Sequence, residues 1–335
     1  MKVLALVCFA VAALLGAPVP AADEVIKLAT LAPKGSPWYD ALQDIGAAWK
    51  QESGGRIELV IYPGGVAGDE PDMVRKMRVG QFQAAALSGA GLHTIVPDVL
   101  ALEMPMMLGS YDELDYVRDR IAPQIEQRLA AKGFTVLNWA DAGWVRFFSK
   151  KPVVSPEDLK RLKLFVWEGD PQEFEAWKAC GFHPVVLAAT DILTGLESGL
   201  IDAVPTTPIA ALSFQWFGLA QHMTDVKWAP LIGATVISTK TWSAIPENLR
   251  TQMLQSARDI GERLRGQVRP LETQAIQTMV DHGLVVHAVP PDIVADWKKG
   301  AQDCLPRIVP AMVPVAPVRT VEDLRDDYRA AHPSP

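Results

Sequence analysis

Histidine and cysteine are scarce in this chain, with 6 His and 3 Cys among 335 residues. Catalytic signatures are missing too: there is no Gly-x-Ser-x-Gly elbow, no phosphate-cradling glycine loop ending in lysine and no His-Glu-x-x-His pair. His282 and His287 are separated by a turn-and-strand spacer that sends their rings to opposite faces, which favours solvated or capping roles over metal ligation. Asp69, Glu70 and Asp72 follow a Gly-Gly turn and open a helix, where carboxylates meet the positive end of the helix dipole without any catalytic task. These absences argue against an enzyme, a bound metal and a cofactor. An excess of positive charge is also lacking: the formal net charge is -7, which disfavours nucleic acid and anionic membranes as partners. Beyond residue 22 no apolar run approaches the ~20 residues that span a bilayer.

Apolar residues are nonetheless plentiful, at 49% of the chain with a mean hydropathy of +0.11. Part of that excess sits in residues 1–22, where Lys2, the short run Val3 to Leu15 and the small residues after Gly16 have the form of an export signal cleaved near Ala21 or Ala22. The reading is therefore a mature periplasmic protein. Cys8 leaves with the signal, and of the two remaining cysteines Cys180 lies in an apolar stretch that favours a buried free thiol over a disulfide with Cys304.

Strand-like and helix-like segments alternate along the first half, from Val25–Thr30 through a helix over 38–52, a strand over 56–62 and a buried run Ala84–Ser88. The alternation restarts past the midpoint with Thr135–Trp139, Arg146–Phe148, a Ser155/Asp158 cap and Leu162–Val166. Two α/β lobes fit this better than one continuous sheet. The expected division assigns 23–143 and 229–269 to the first lobe, and 144–228 and 270–305 to the second. A helical pattern over 248–279, interrupted at Pro270, crosses both, and the Pro-rich stretch from 306 to the end is expected as an extended surface strap. The 10 Trp gather at strand ends and loop starts, where two lobes close on a cleft.

Four segments in order then resemble the periplasmic solute-binding subunits of tripartite ATP-independent (TRAP) transporters. They are Tyr62-Pro63-Gly64-Gly65-Val66-Ala67-Gly68-Asp69-Glu70, Leu102-Glu103-Met104-Pro105-Met106-Met107, Pro156-Glu157-Asp158-Leu159-Lys160-Arg161-Leu162-Lys163-Leu164 and Leu193-Thr194-Gly195-Leu196-Glu197-Ser198-Gly199-Leu200-Ile201-Asp202-Ala203. The resemblance implies the two-lobed periplasmic-binding-protein fold, with hinge strands, a long helix spanning both lobes, and membrane permease subunits as partners. It also implies where polar anchors should stand, and here they do not. The arginine that takes a substrate carboxylate is replaced by Phe165, a second arginine by Val145, and a ligand-facing asparagine by Thr207. Arg146, one place along, would point to the opposite face of its strand.

An unpaired carboxylate against Phe165 and Val145 would cost several kcal/mol. The ligand expected is therefore apolar or weakly polar, lipid-like, as in a subset of the family that lacks the arginine and works with a helical-repeat (TPR-like) partner protein. The expected lining is Trp144, Val145, Phe165, Trp167, Thr207, Gln215, Trp216 and Trp228, with Trp38, Ser88 and Pro105 from the first lobe. Two alternatives are a carboxylate ligand held by Arg146 and an interaction protein that has left transport.

Overall fold

The computed structural model describes residues 24–168 and 171–333; the export leader falls outside them. Eleven strands are described among these residues, and they form two sheets. In the first, β1 (Glu24–Thr30) lies between β2 (Ile57–Tyr62) and β3 (Ala84–Ser88), parallel to both, while β10 (Pro230–Ser238) runs antiparallel to β3 and to β4 (Phe134–Trp144). The second sheet has the order β11 (Val285–Ala288), β9 (His222–Asp225), β5 (Arg146–Ser149), β8 (Ala203–Thr206), β6 (Lys163–Trp167), β7 (His183–Leu187).

Each sheet is covered by helices whose starts are written locally. Ser36 accepts the Tyr39 amide ahead of helix Pro37–Glu52, which buries Leu42, Ile45 and Trp49 on one face. Ser155 and Asp158 form the reciprocal capping box that their spacing announced, with the Ser155 amide donating to Asp158 at 2.9 Å.

The lobes are joined where strands of one sheet run directly into the other. Only Val145 separates β4 from β5, and beside it the chain returns from β9 to β10. The two crossings are bonded to each other: the Val145 amide donates to the Ala229 carbonyl (2.8 Å) and the Trp228 amide to the Val145 carbonyl (3.0 Å). A third connection is helix Glu247–Asp281, whose Met253 packs in the first lobe beside Trp49 and whose Met279 packs in the second beside Phe148 and Phe165. The interruption expected at Pro270 does not occur. The helix passes through it, because Val268 and Ala275 are buried on either side and hold the turn despite the missing amide.

Two further expectations are corrected. The C-terminal region is not an extended strap: helix Pro291–Ile308 carries Pro306 in its last turn, and Val315–Ala331 forms a second helix against Tyr111–Ala131. Its anchor is Val318 and Val321, buried at helical spacing, with Arg329 ion-paired to the buried Glu113 at 2.6 Å. Cys180 and Cys304 are also not free thiols. They form a disulfide, because the packing of helix Pro171–Ala179 on Pro291–Ile308 brings their Cα atoms to 5.8 Å across 124 residues.

Candidate functional site

A cavity of about 380 Å³ lies between the lobes at the crossing strands. Its floor is the hinge itself, Val145 and Trp228–Leu231; one wall is Met104 and Pro105 of the first lobe, the other is Phe165, Trp167 and Trp216 of the second. The aromatic rings are mutually fixed. Trp177 stacks on Trp228 (5.9 Å between centroids), Phe165 meets Trp167 edge-on (5.7 Å) and Phe214 stacks on Trp216 (4.6 Å), so the wall residues pack on one another.

Of the eleven residues singled out from the sequence, Pro105, Val145, Phe165, Trp167, Trp216 and Trp228 line this cavity. The other five stand elsewhere. Trp38 donates its indole N–H to the Asp141 carbonyl (3.2 Å) and packs near Leu264 and Val268. Ser88 caps the short helix Gly89–His93 and donates its hydroxyl to Glu70 (2.8 Å). Trp144 is fully buried in the first-lobe core with Tyr111 at 5.7 Å. Thr207 caps helix Pro208–Ser213 through the Ala210 amide, and Gln215 occupies a left-handed turn at φ 60. The Trp excess was thus divided between site and core, a distinction that composition does not carry. Trp177 and Phe182 line the cavity from helix Pro171–Ala179 and the turn after it, positions that sequence periodicity reads as ordinary core.

Arg146 takes no part in the lining. Its guanidinium is buried, 3.2 Å from Glu272 on the long helix and 3.3 Å from Asp225, and it donates to the Trp144 carbonyl at 3.3 Å. Glu272 in turn accepts the Tyr111 hydroxyl, and loss of solvent, reinforced by that buried carboxylate, pushes the Tyr111 hydroxyl well above its ordinary value. This arginine is committed to the hinge.

The ionisable groups of the lining are three acids, Glu103, Glu173 and Asp303, and three basic side chains, His93, Lys160 and Arg307. Burial pushes the Glu103 carboxyl up to about 8 against a single hydrogen bond from the Ile232 amide (2.8 Å), and pushes Glu70, behind it, up to about 7. Glu70 needs no ligand: it accepts the Ser88 amide, the Ser88 hydroxyl and the Gly91 amide, at 2.9, 2.8 and 2.7 Å.

The lobes also touch around Asp69 and Gly65. Asp69 caps its helix through Glu70 N and also accepts the Ala189 amide from the other lobe at 2.7 Å, while a Cβ on Gly65 would meet the Thr190 methyl at 2.5 Å. The second glycine of the Gly64-Gly65 turn is therefore required both by its φ of 75 and by the approach of the opposite lobe.

Among the described residues no group of three or more metal-ligating side chains exists, and no helix is long and apolar enough to cross a membrane. His287 does not point away alone: its Nε2 lies 2.9 Å from Nδ1 of His222 on the neighbouring strand, while His282 bonds the Thr278 carbonyl at 2.8 Å.

Comparison with known proteins agrees with this architecture. A solved TRAP periplasmic solute-binding protein of Ralstonia eutropha, with bound (S)-2-acetolactate, superposes with a TM-score of 0.84 at 21% identity, covering 90% of this chain and 99% of the other. A solute-binding protein of Roseobacter denitrificans is 26% identical over 263 residues, 76% of this chain and 79% of its own. The C4-dicarboxylate-binding periplasmic protein DctP of Rhodobacter capsulatus is 22% identical over 248 residues, 73% and 74% of the two chains. The profile of the bacterial extracellular solute-binding proteins, family 7, matches residues 28–309. With that match over most of its length, the chain belongs to the DctP family of bacterial extracellular solute-binding proteins, and it is a binding protein rather than an enzyme.

Proposed function

We propose that this protein serves a TRAP-type secondary transporter in the periplasm by capturing an apolar or weakly polar ligand between its lobes and presenting it to membrane permease subunits. The observation that carries the reading is the cavity lining: Val145 and Phe165 occupy the two positions where the family resemblance places arginines, and the acids Glu103 and Glu173 face the same space. A carboxylate entering there would meet apolar walls, with no buried guanidinium in the lining to offset its lost hydration. An apolar body instead gains ~25 cal/mol per Å² removed from water. The relatives whose ligands are named bind acids, including (S)-2-acetolactate and L-galactonate, so the proposal sets this chain apart from them at the cavity rather than in the fold. A helical-repeat periplasmic partner belongs to the proposal as the resemblance implies it.

The test is thermal unfolding with panels of ligands at low and high salt. At a hundred dissociation constants a bound ligand adds ~2.7 kcal/mol to stability. Long-chain or polycyclic apolar compounds are expected to raise the melting temperature at both salt concentrations, Phe165→Arg to weaken them at least tenfold, and succinate, malate, pyruvate and sialic acid to have no effect. If one of those acids stabilises the protein in a salt-sensitive manner while apolar compounds do nothing, the reading is wrong.

A further inference from the structure

An apolar cavity selects for size and shape, but orientation needs a polar contact, and one side chain in the lining is placed to give it. Glu103 ends the 3-10 turn Pro97–Glu103 and lines the cavity from the first lobe. Its carboxyl lies directly on Gly89, where an added Cβ would meet Oε2 at 2.2 Å, so the glycine is the recess that admits it. Oε1 is fixed by the Ile232 amide at 2.8 Å. The hydrogen bond described for this carboxyl is the one to Oε1. The residue is half-buried in the lining, so one oxygen is anchored to the protein and the other stays accessible to a molecule in the cavity, where a ligand can displace water from it.

We infer that Glu103 is the orienting residue of this site, donating an O–H from Oε2 to a single uncharged acceptor, such as a carbonyl oxygen, on an otherwise apolar ligand. The inference rests on the function proposed above and narrows its substrate class. Protonation of the donor follows from its surroundings: burial raises the carboxyl to about 8, the nearby charges of Glu70 and Glu173 push the same way, and His93 opposes them. Strand β10, which supplies the Ile232 amide, contributes no titratable group. At neutral pH the group is therefore mainly a neutral acid, able to donate where a carboxylate can only accept. A ketone, ester or amide oxygen matches it; an ammonium group calls for the ionised form instead.

Two neutral fluorophores separate this inference from the reading beneath it. N-phenyl-1-naphthylamine has an apolar body and no carbonyl, whereas the naphthyl ketone Prodan carries one carbonyl whose emission shifts to the red when it accepts a hydrogen bond. Both are expected to bind the intact protein. Between pH 6 and pH 9 Prodan affinity should fall about tenfold, as ligand binding to a protonated group near 8 requires, while phenylnaphthylamine affinity stays within twofold. Glu103→Gln keeps an N–H donor in place of the hydroxyl: Prodan should weaken no more than about threefold at pH 6, and its pH dependence should vanish. Glu103→Leu should abolish the red shift of Prodan and weaken Prodan at least tenfold more than it alters phenylnaphthylamine binding.

If neither probe binds, the apolar-ligand reading fails and the inference with it. If phenylnaphthylamine binds but Prodan ignores both pH and Glu103, or Glu103→Gln keeps the pH dependence, the role of Glu103 alone is overturned. Prodan affinity that rises with pH would assign the site to the ionised carboxylate and likewise overturn it.

Discussion

Arg146 is the residue whose removal should tell most about how the hinge is held. It is 5% exposed and its partner Glu272 6%, with 3.2 Å between guanidinium and carboxylate. Asp225, the other partner, has a side chain 52% exposed and adds little at that surface. Arg146→Met removes the charge while keeping most of the side-chain volume, and it leaves the Glu272 carboxylate buried with only the Tyr111 hydroxyl. Breaking a buried pair in this way costs about 3–5 kcal/mol, most of it the cost of the stranded charge rather than the loss of attraction. With an unfolding entropy of about 2.1 cal/mol/K per residue over roughly 300 folded residues, the melting temperature should drop by about 5–8 °C. Arg146→Met combined with Glu272→Gln removes both charges and should recover all but about 1–2 kcal/mol. Equilibrium denaturation of the two single variants and the double variant, arranged as a cycle, measures the coupling. Because Arg146 does not line the cavity, probe affinity in the same variants should change less than twofold once folding is complete. A single-variant cost below about 1 kcal/mol, or a double variant no better than Arg146→Met, would refute the account of the hinge as held by this pair.

Two further outcomes follow from buried groups elsewhere. Replacing Cys180 and Cys304 with serine opens a loop of 124 residues and should cost about 2–5 kcal/mol, with dithiothreitol lowering the melting temperature of the parent protein but not of the double variant; equal sensitivity in both would exclude the disulfide as the cause. The proton on Glu70 gives a pH slope: between the ordinary 4.5 and about 7 the folded protein retains a proton that the unfolded chain releases, so stability should fall as pH rises through that window, and Glu70→Gln should make the fall shallower, the share of Glu103 remaining. An unchanged slope in that variant places the titration elsewhere.

Several features were readable from short stretches because their causes are local. The Ser155/Asp158 cap, the helix after Ser36 and the strand Ala84–Ser88 depend on residues within one turn or one strand. The errors have the opposite character. Pro270 was read as an interruption because propensity knows nothing of the two packed faces that carry the long helix past it. The prolines near 306–317 suggested an extended strap because the apolar spacing of Val318 and Val321 has meaning only against the helix Tyr111–Ala131. The pairing of Cys180 with Cys304 was hidden by their distance along the chain.

The site divides in the same way. Val145 and Phe165 stand out in the sequence because the family resemblance places arginines at their positions, and both line the cavity. Glu103 lies within a family-like motif, but nothing in the motif marks it as a lining residue, because its place depends on the recess at Gly89 and the Ile232 amide, both distant in sequence. What the sequence determined by itself is the two-lobed α/β plan and the family, both matters of residue type and order. Only the tertiary structure decided which tryptophans line the cavity, that Arg146 is spent on Glu272, and that an acid stands in the cavity. Those depend on which side chains from distant segments share one low-dielectric space, and burial, not order along the chain, sets their charge and their partners.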